Sequence, residues 1–494
     1  MPCGKESRGE DALALWRIGL GPRPAAPGAR RKCQKKRENA KMNQNHLFWY
    51  LPIGLAEDLQ RLKMQGEFEQ AVRLIDLRLK EENIPQQMKY AMMAEREIMR
   101  RLPAEYPYTI EQAMEHIRQE IPDFSLGEFE ALMDAGRIDW LYLHGQVRIL
   151  SSFFATLKKT DPRIAQRAGQ LQSGGQEHHL DRAAQMIEQN GQFGCRLRIR
   201  ASVKIRDEAF SPGKKVRVWL PIPAACRQQS DIRILSSAPA ITFLAPENAL
   251  QRTAYFEEVM WENHSFEVEY EYSNIVRAAQ PGSGMQTPPT PMDLGECAPH
   301  ILFTPCLRSL CQELCRGRET PLQKALAFYD FITTKVKYAF VREYFGITSI
   351  AEACARSLRG DCGVQALLFI TLCRCAGIPA RWQSGLYAGP DHIGPHDWAE
   401  FYAEPFGWLY CDPSFGGGAY RAGNEGRRRF YFGGMDPYRM VANTAIYADF
   451  QPPSQGFRAD PYDNQSGEIE VEGRGLRYQE YERARSLICI EELP

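Results

Sequence analysis

The chain has 494 residues, too many for one ordinary domain, so roughly two to four are expected. A content of 44% hydrophobic and 25% charged residues is that of a globular protein. Its 61 basic and 61 acidic residues balance, which argues against whole-chain attraction to nucleic acid or to an anionic membrane. No run of about 18 apolar residues occurs, so no helical membrane span is expected.

Fourteen cysteines are far below the density of a disulfide scaffold, and Cys373, Cys375 and Cys489 lie in apolar runs suited to buried free thiols. A reducing cytoplasm fits this usage. The stretch "ALALWRIGL" (12–20) makes a poor secretory leader, because Arg17 interrupts it and acids precede it.

In chain order, residues 1–41 carry eleven basic against four acidic side chains with no periodicity. They read as a disordered extension or as a non-native leader ahead of Met42; a nucleic-acid-binding arm is the third reading. From 42 to 190 the pattern is helical, with Leu55, Leu59 and Leu62, then Ala71, Leu74, Ile75 and Leu79, three and four residues apart. Thr109 and Ser125 stand where N-caps belong. No second copy of "QGEFEQAVRLID" recurs at a repeat period, so a helical scaffold with a surface for protein partners is expected rather than a repeat array.

From 192 to 277 the period drops to two. Leu197, Ile199, Ala201, Val203 and Ile205 share one strand face, as do Phe266, Val268, Tyr270 and Tyr272. The strand-length pieces between them predict an antiparallel β-sandwich, with Arg196, Arg198, Arg200 and Lys204 on its outer face. Residues 278–295 read as a Pro/Gly-rich linker and 296–450 as the next domain. That domain contains a helix capped by Thr320, with Pro321 at its first position and Leu322, Leu326, Tyr329, Ile332 and Val336 along one stripe. After 450 a polar tail, 451–494, carries short strands in "EIEVEG" and "SLICIEEL".

The chemistry concentrates in the 296–450 domain. Cys362 opens an apolar helical run that ends at Gly377 and Pro379, so it stands at a helix N-terminus, where unsatisfied N–H groups favour thiolate. Gly360 and Gly363 beside it would leave the sulfur open. In "PHDWAEFYAEPFGWLYCDPS", strand alternation puts His396, Trp398 and Glu400 on one face, and a hairpin through "EPFG" returns Asp412 near His396. A thiol paired with a histidine that an acid orients is the arrangement of nucleophilic catalysis. His392 is a rival base. Cys297, His300, Cys306, Cys311 and Cys315 form a cysteine-rich run without a CxxC pair, and read as core thiols rather than a zinc site.

These blocks, Gly360-Asp361-Cys362, Gly377-Ile378-Pro379-Ala380-Arg381, His396-Asp397-Trp398-Ala399-Glu400-Phe401-Tyr402 and Gly407-Trp408…Asp412-Pro413-Ser414, resemble the transglutaminase-like superfamily of papain-like thiol enzymes over roughly residues 320 to 420. The resemblance implies a multidomain α+β protein. Its core would be a Cys-bearing helix on an antiparallel sheet, preceded by the β-sandwich and the helical region. It further implies Cys362 as nucleophile, His396 as general base and acid, Asp412 as orienter, and Trp398, Tyr344 and Tyr338 as cleft residues, the two tyrosines being candidates for the second oxyanion donor. The CxxC zinc pairs of the N-glycanase branch and the spacing of a calcium loop are both missing, so a bacterial, cofactor-free and metal-free member acting on a protein or peptide is expected. Hydrolysis is ranked first, glutamine transamidation second, and a catalytically idle interaction protein third.

Overall fold

The computed structural model describes residues 43–169 and 178–493; the extension expected over 1–41 lies outside them. After a 3-10 helix at Gln44–Ile53 come α1 (Glu57–Met64), α2 (Phe68–Arg78), α3 (Gln86–Glu105), α4 (Ile110–Arg118) and α5 (Leu126–Asp134). The hairpin β1 (Trp140–Leu143) and β2 (Gln146–Ile149) then leads to α6 (Phe153–Thr160), α7 (Pro162–Arg167) and α8 (His178–Asn190). Thr109 and Ser125 do cap α4 and α5, each in a capping box with Gln112 or Glu128.

The sandwich contains β3 (Gln192–Ile205), β4 (Lys214–Pro221), β5 (Gln229–Ala238), β6 (Phe243–Leu244), β7 (Thr253–Met260) and β8 (Phe266–Arg277). The inward positions read from the sequence pack as expected, except that Ala201 is only partly buried. On the outer face Arg198 and Arg200 are both drawn to Glu269, across the strand pair.

The core domain runs α9 (Pro305–Cys315), α10 (Pro321–Lys335), β9 (Lys337–Tyr338), α11 (Ile350–Ser357), β10 (Arg359–Gly360), α12 (Cys362–Cys375), β11 (Ala380–Ala388), β12 (Ile393–Ala403) and β13 (Gly407–Cys411). It continues with α13 (Pro413–Arg421), α14 (Glu425–Phe430), β14 (Phe432–Gly433) and β15 (Arg439–Asn443). Its sheet has the order β14-β13-β12-β11-β15. Thr320 caps α10 as read, and Tyr329, Ile332 and Val336 of the expected stripe are buried together with Ala325 and Phe328, whereas Leu326 is 40% exposed. The buried face is wider than one stripe because the helix packs on both α12 and α13.

The tail differs most from expectation. It does not stand apart: β16 (Glu468–Val471), β17 (Arg474–Gly475) and β18 (Tyr481–Leu493) complete the sandwich. The edge of β3 that β8 leaves free is covered by β18 from Tyr481↔Ile205 to Leu493↔Gly194, and β16 pairs with β4. A fourteen-residue strand with one open edge invites unwanted pairing, and the distant C-terminus closes it.

The core sheet is buried on both faces. One face packs against α12 through Ala399, Phe401 and Ala403. The other meets sandwich residues through Leu386, Trp398, Tyr410 and Met440. Helix α12 is apolar all round because it is enclosed: Leu367, Leu368, Phe369, Ile370 and Leu372 have no exposure. Burial of each such side chain contributes roughly 1.5–3 kcal/mol.

Candidate active site

Asp361 builds the N-terminus of α12. Its Oδ1 accepts the Val364 N–H at 3.1 Å and the Tyr344 hydroxyl at 2.7 Å. Cys362 follows as the first helical residue and is half-buried. Gly363 serves closeness rather than openness, because a Cβ there would lie 2.1 Å from Tyr344 Oη and 2.7 Å from Asp397 Oδ2. The glycine lets both groups close over the helix end.

His396 and Asp412 meet as the hairpin predicts. Strand β12 pairs with β13 in the register Ala399↔Cys411, and His396 Nε2 bonds Asp412 Oδ2 at 2.7 Å. Asp412 also caps α13 through the Phe415 N–H and takes Arg439 Nη1 at 2.8 Å. Burial alone would raise the Asp412 carboxyl, but the charges of His396 and Arg439 hold it down at about 2. Burial pushes the His396 imidazole below its ordinary value, against the pull of Asp412. Nε2 is engaged by the acid, which leaves Nδ1 open to another partner.

The thiol, however, is bonded elsewhere. Cys362 Sγ lies 3.3 Å from Asp397 Oδ2, and among the described residues no hydrogen bond joins it to His396. Asp397 and His396 are successive residues of one strand, so their side chains leave on opposite sides. The His396 ring packs against Phe415 and Trp398, with centroids 4.6 and 5.9 Å away. Burial, Asp397 and Asp361 push the Cys362 thiol up, which overrides the lowering expected from the helix terminus. Burial, with Asp463 and Asp361 nearby, pushes the Asp397 carboxyl well up. Gln465, from the segment before β16, donates to both Asp397 Oδ1 and the His396 carbonyl.

The remaining sequence candidates separate. Tyr344 lies on the helix end through Asp361. Tyr338 is buried, feels the Cys362 charge, and has Lys159 Nζ 4.5 Å from its ring centroid. Trp398 is a correction: it is fully buried, donates to Gln383 Oε1 at 2.8 Å and faces the sandwich side, so it offers a substrate no surface. Glu400 and Arg381 form a structural pair that Arg227 completes. His392 pairs with the adjacent Asp391. Among the described residues no group of three His, Cys, Asp or Glu side chains is gathered to hold a metal, and no helix is long and apolar enough to cross a membrane.

Sequence reasoning missed Asp397, Gln465, Arg439 and Lys159. Asp397 stood inside the quoted block, and the same alternation that grouped His396 with Trp398 sends Asp397 toward α12. Gln465 and Lys159 are more than 60 residues from the core motifs they touch and carry no local signal.

Residues 308–413 match the sequence model of the transglutaminase-like superfamily. No curated protein matches the chain. Among solved structures, a candidate cysteine protease from Cytophaga hutchinsonii is similar at 16% identity and a TM-score of 0.39, over 60% of this chain and 91% of that one. The periplasmic domain of TgpA from Pseudomonas aeruginosa is similar at 15% identity and a TM-score of 0.27, over 50% and 95% of the two chains. The matched segment, about a fifth of the chain, takes in the Cys-headed helix and the strands β11 to β13, and there the chain is similar to the transglutaminase-like superfamily.

Proposed function

We propose that the protein is a thiol-dependent amide hydrolase acting on a peptide or protein, with Cys362 as nucleophile, His396 as base and acid, and Asp412 as orienter. The carrying observation is the buried His396–Asp412 bond at 2.7 Å, next along β12 to the residue that touches the Cys362 thiol. Because His396 and Asp397 leave β12 on opposite sides, the reaction requires the end of β12 that carries them to turn, bringing His396 Nδ1 to the thiol in place of the Asp397 carboxyl. His396 then takes the thiol proton, and sulfur attacks the amide carbon. Oxyanion charge falls on the Cys362 N–H, the amine leaves with the proton from His396, and an acyl-enzyme remains. Water, deprotonated by His396, returns the free thiol and an acid. An amine in place of water would give transamidation. No cofactor enters these steps.

A second reading, an interaction protein with an idle core, draws on one specific observation: the thiol bonds Asp397 and its pKa is raised. The test of the first reading is a glutamine-containing peptide offered with and without a labelled primary amine. Hydrolysis without label incorporation is expected; incorporation that disappears in Cys362→Ala would move the assignment to a transferase.

A further inference from the structure

Lys159, Arg421, Arg137 and Arg359 gather near Tyr338 and beside a well-formed cavity, and among the described residues none is paired with a carboxylate. Lys159 Nζ lies over the rings of Tyr338 and Phe340, at 4.5 and 5.1 Å, and its charge interacts with those of Cys362, Asp361 and Arg421. Arg421, in turn, interacts with Tyr338 and Arg137. Arg137 donates only to Thr160 Oγ1, at 2.5 Å, and Arg359 only to the Gly136 carbonyl. The nearby acids are committed elsewhere: Asp361 to Tyr344 and Val364, Asp397 to Cys362 and Gln465, and Asp139 to Arg342 and Tyr106.

The cavity, about 330 Å³, lies between α6 and the core, with Arg137 and Arg359 at its polar side and Leu150, Phe153, Phe340 and Val364 as apolar walls. Phe153 and Thr156 of α6 line the cavity, and Lys159, one turn further on, lies over Tyr338 and Phe340. Unneutralised cations held together repel one another, and an anionic ligand relieves that cost. Asp361 and Asp397 flank the thiol itself, so in a chain of zero net charge the positive charge is concentrated one step out, toward the cavity that Arg137 and Arg359 line.

We propose that the cleft selects an acidic peptide: carboxylate side chains flanking the reacting amide are taken by Lys159, Arg421, Arg137 and Arg359, and an adjoining apolar side chain enters the cavity. This substrate class rests on the thiol reading of Cys362. It fits an exposed, flexible partner segment whose carboxylates approach Lys159 and Arg421 first, since those two side chains are exposed, and the half-buried arginines next.

The test uses the full chain as Cys362→Ser, so that binding is read without turnover. Three fluorescent hexapeptides are compared by anisotropy, each with a central glutamine and a leucine, flanked by glutamates, by serines or by lysines. The glutamate peptide should bind at least tenfold tighter than the serine peptide, with the lysine peptide weakest. That preference should shrink to under threefold in Lys159→Gln/Arg421→Gln and should weaken as salt rises. Equal affinity for the glutamate and serine peptides, no binding of the glutamate peptide, or a preference that survives the double variant would overturn the proposal. Arg137→Gln, which removes a half-buried member, should lower glutamate-peptide affinity without changing serine-peptide affinity; an equal loss of both would also count against it. If the glutamate peptide binds as expected while the wild-type chain leaves it intact, the acidic-peptide preference stands as binding alone and the thiol chemistry falls.

Discussion

Cys362→Ala is expected to lower hydrolysis of a susceptible glutamine peptide by about 10⁴–10⁶-fold, with unchanged folding, because removal of a nucleophile abolishes the acyl-enzyme and not merely one stabilising contact. Cys362 is half-buried at the first turn of α12, and alanine there leaves the cap made by Asp361 intact. His396→Ala should cost a similar factor, since nucleophile and base act as one unit and their losses do not add. The double variant should therefore be no worse than either single one. A residual rate in Cys362→Ala within tenfold of wild type would show that the thiol does no chemistry. The readout is initial rate against protein concentration, with far-ultraviolet circular dichroism as the folding control.

Arg439→Ala is expected to destabilise the fold by about 3–5 kcal/mol, because it leaves the buried Asp436 carboxylate without a counter-charge and leaves Asp412 with His396 alone. Arg439, Asp412 and Asp436 all have no exposure, and the guanidinium spans the two acids at 2.8 and 2.6 Å. Its plane sits among Phe415, Trp398 and Tyr387, with ring centroids 4.3, 5.2 and 5.7 Å away, so the cavity left behind is lined by aromatic rings that cannot solvate charge. The same change removes one of the two charges that hold Asp412 near 2, and the Asp412 carboxyl should then titrate at a higher pH. Arg439→Lys keeps the charge but not the planar fork, and should lose less. Urea midpoints measure both; a loss under about 1 kcal/mol for Arg439→Ala would mean that the triad's acid is not supported through this pair.

How much of this was legible in the sequence depended on the range of the signal. Local signals were read correctly: the caps at Thr109, Ser125 and Thr320, the alternation in β3 and β8, and the break at Gly377 and Pro379 are all written within a few residues. The His396–Asp412 contact was legible too, because a short hairpin fixes its own register. Three things were not. The covering of β3 by β18 joins residues nearly 300 positions apart, and a polar alternating tail gives no sign of which edge it will close. The burial of Trp398 follows from a sheet covered on both faces, which β12 alone does not announce. The raised Cys362 thiol follows from Asp397 and Asp361 acting through a low-dielectric interior. Burial and the two carboxylates outweigh the lowering that a helix terminus favours.

The central claim is that His396 activates Cys362 once the thiol leaves Asp397. Its most direct measurement is the rate of Cys362 alkylation by iodoacetamide from pH 5 to 10, followed peptide by peptide by mass spectrometry, in wild type, His396→Ala and Asp397→Asn. In wild type, burial with Asp397 and Asp361 raises the thiol, so the midpoint should lie above that of an ordinary cysteine, near 8.5. Asp397→Asn removes a charge that opposes thiolate above the carboxyl's own titration, so its midpoint should fall by about one unit or more. His396→Ala should slow alkylation near neutral pH by at least about tenfold, because the imidazole no longer takes the proton. Profiles that superimpose for wild type and His396→Ala would contradict the account and leave Cys362 a resting thiol beside an unconnected His396–Asp412 pair.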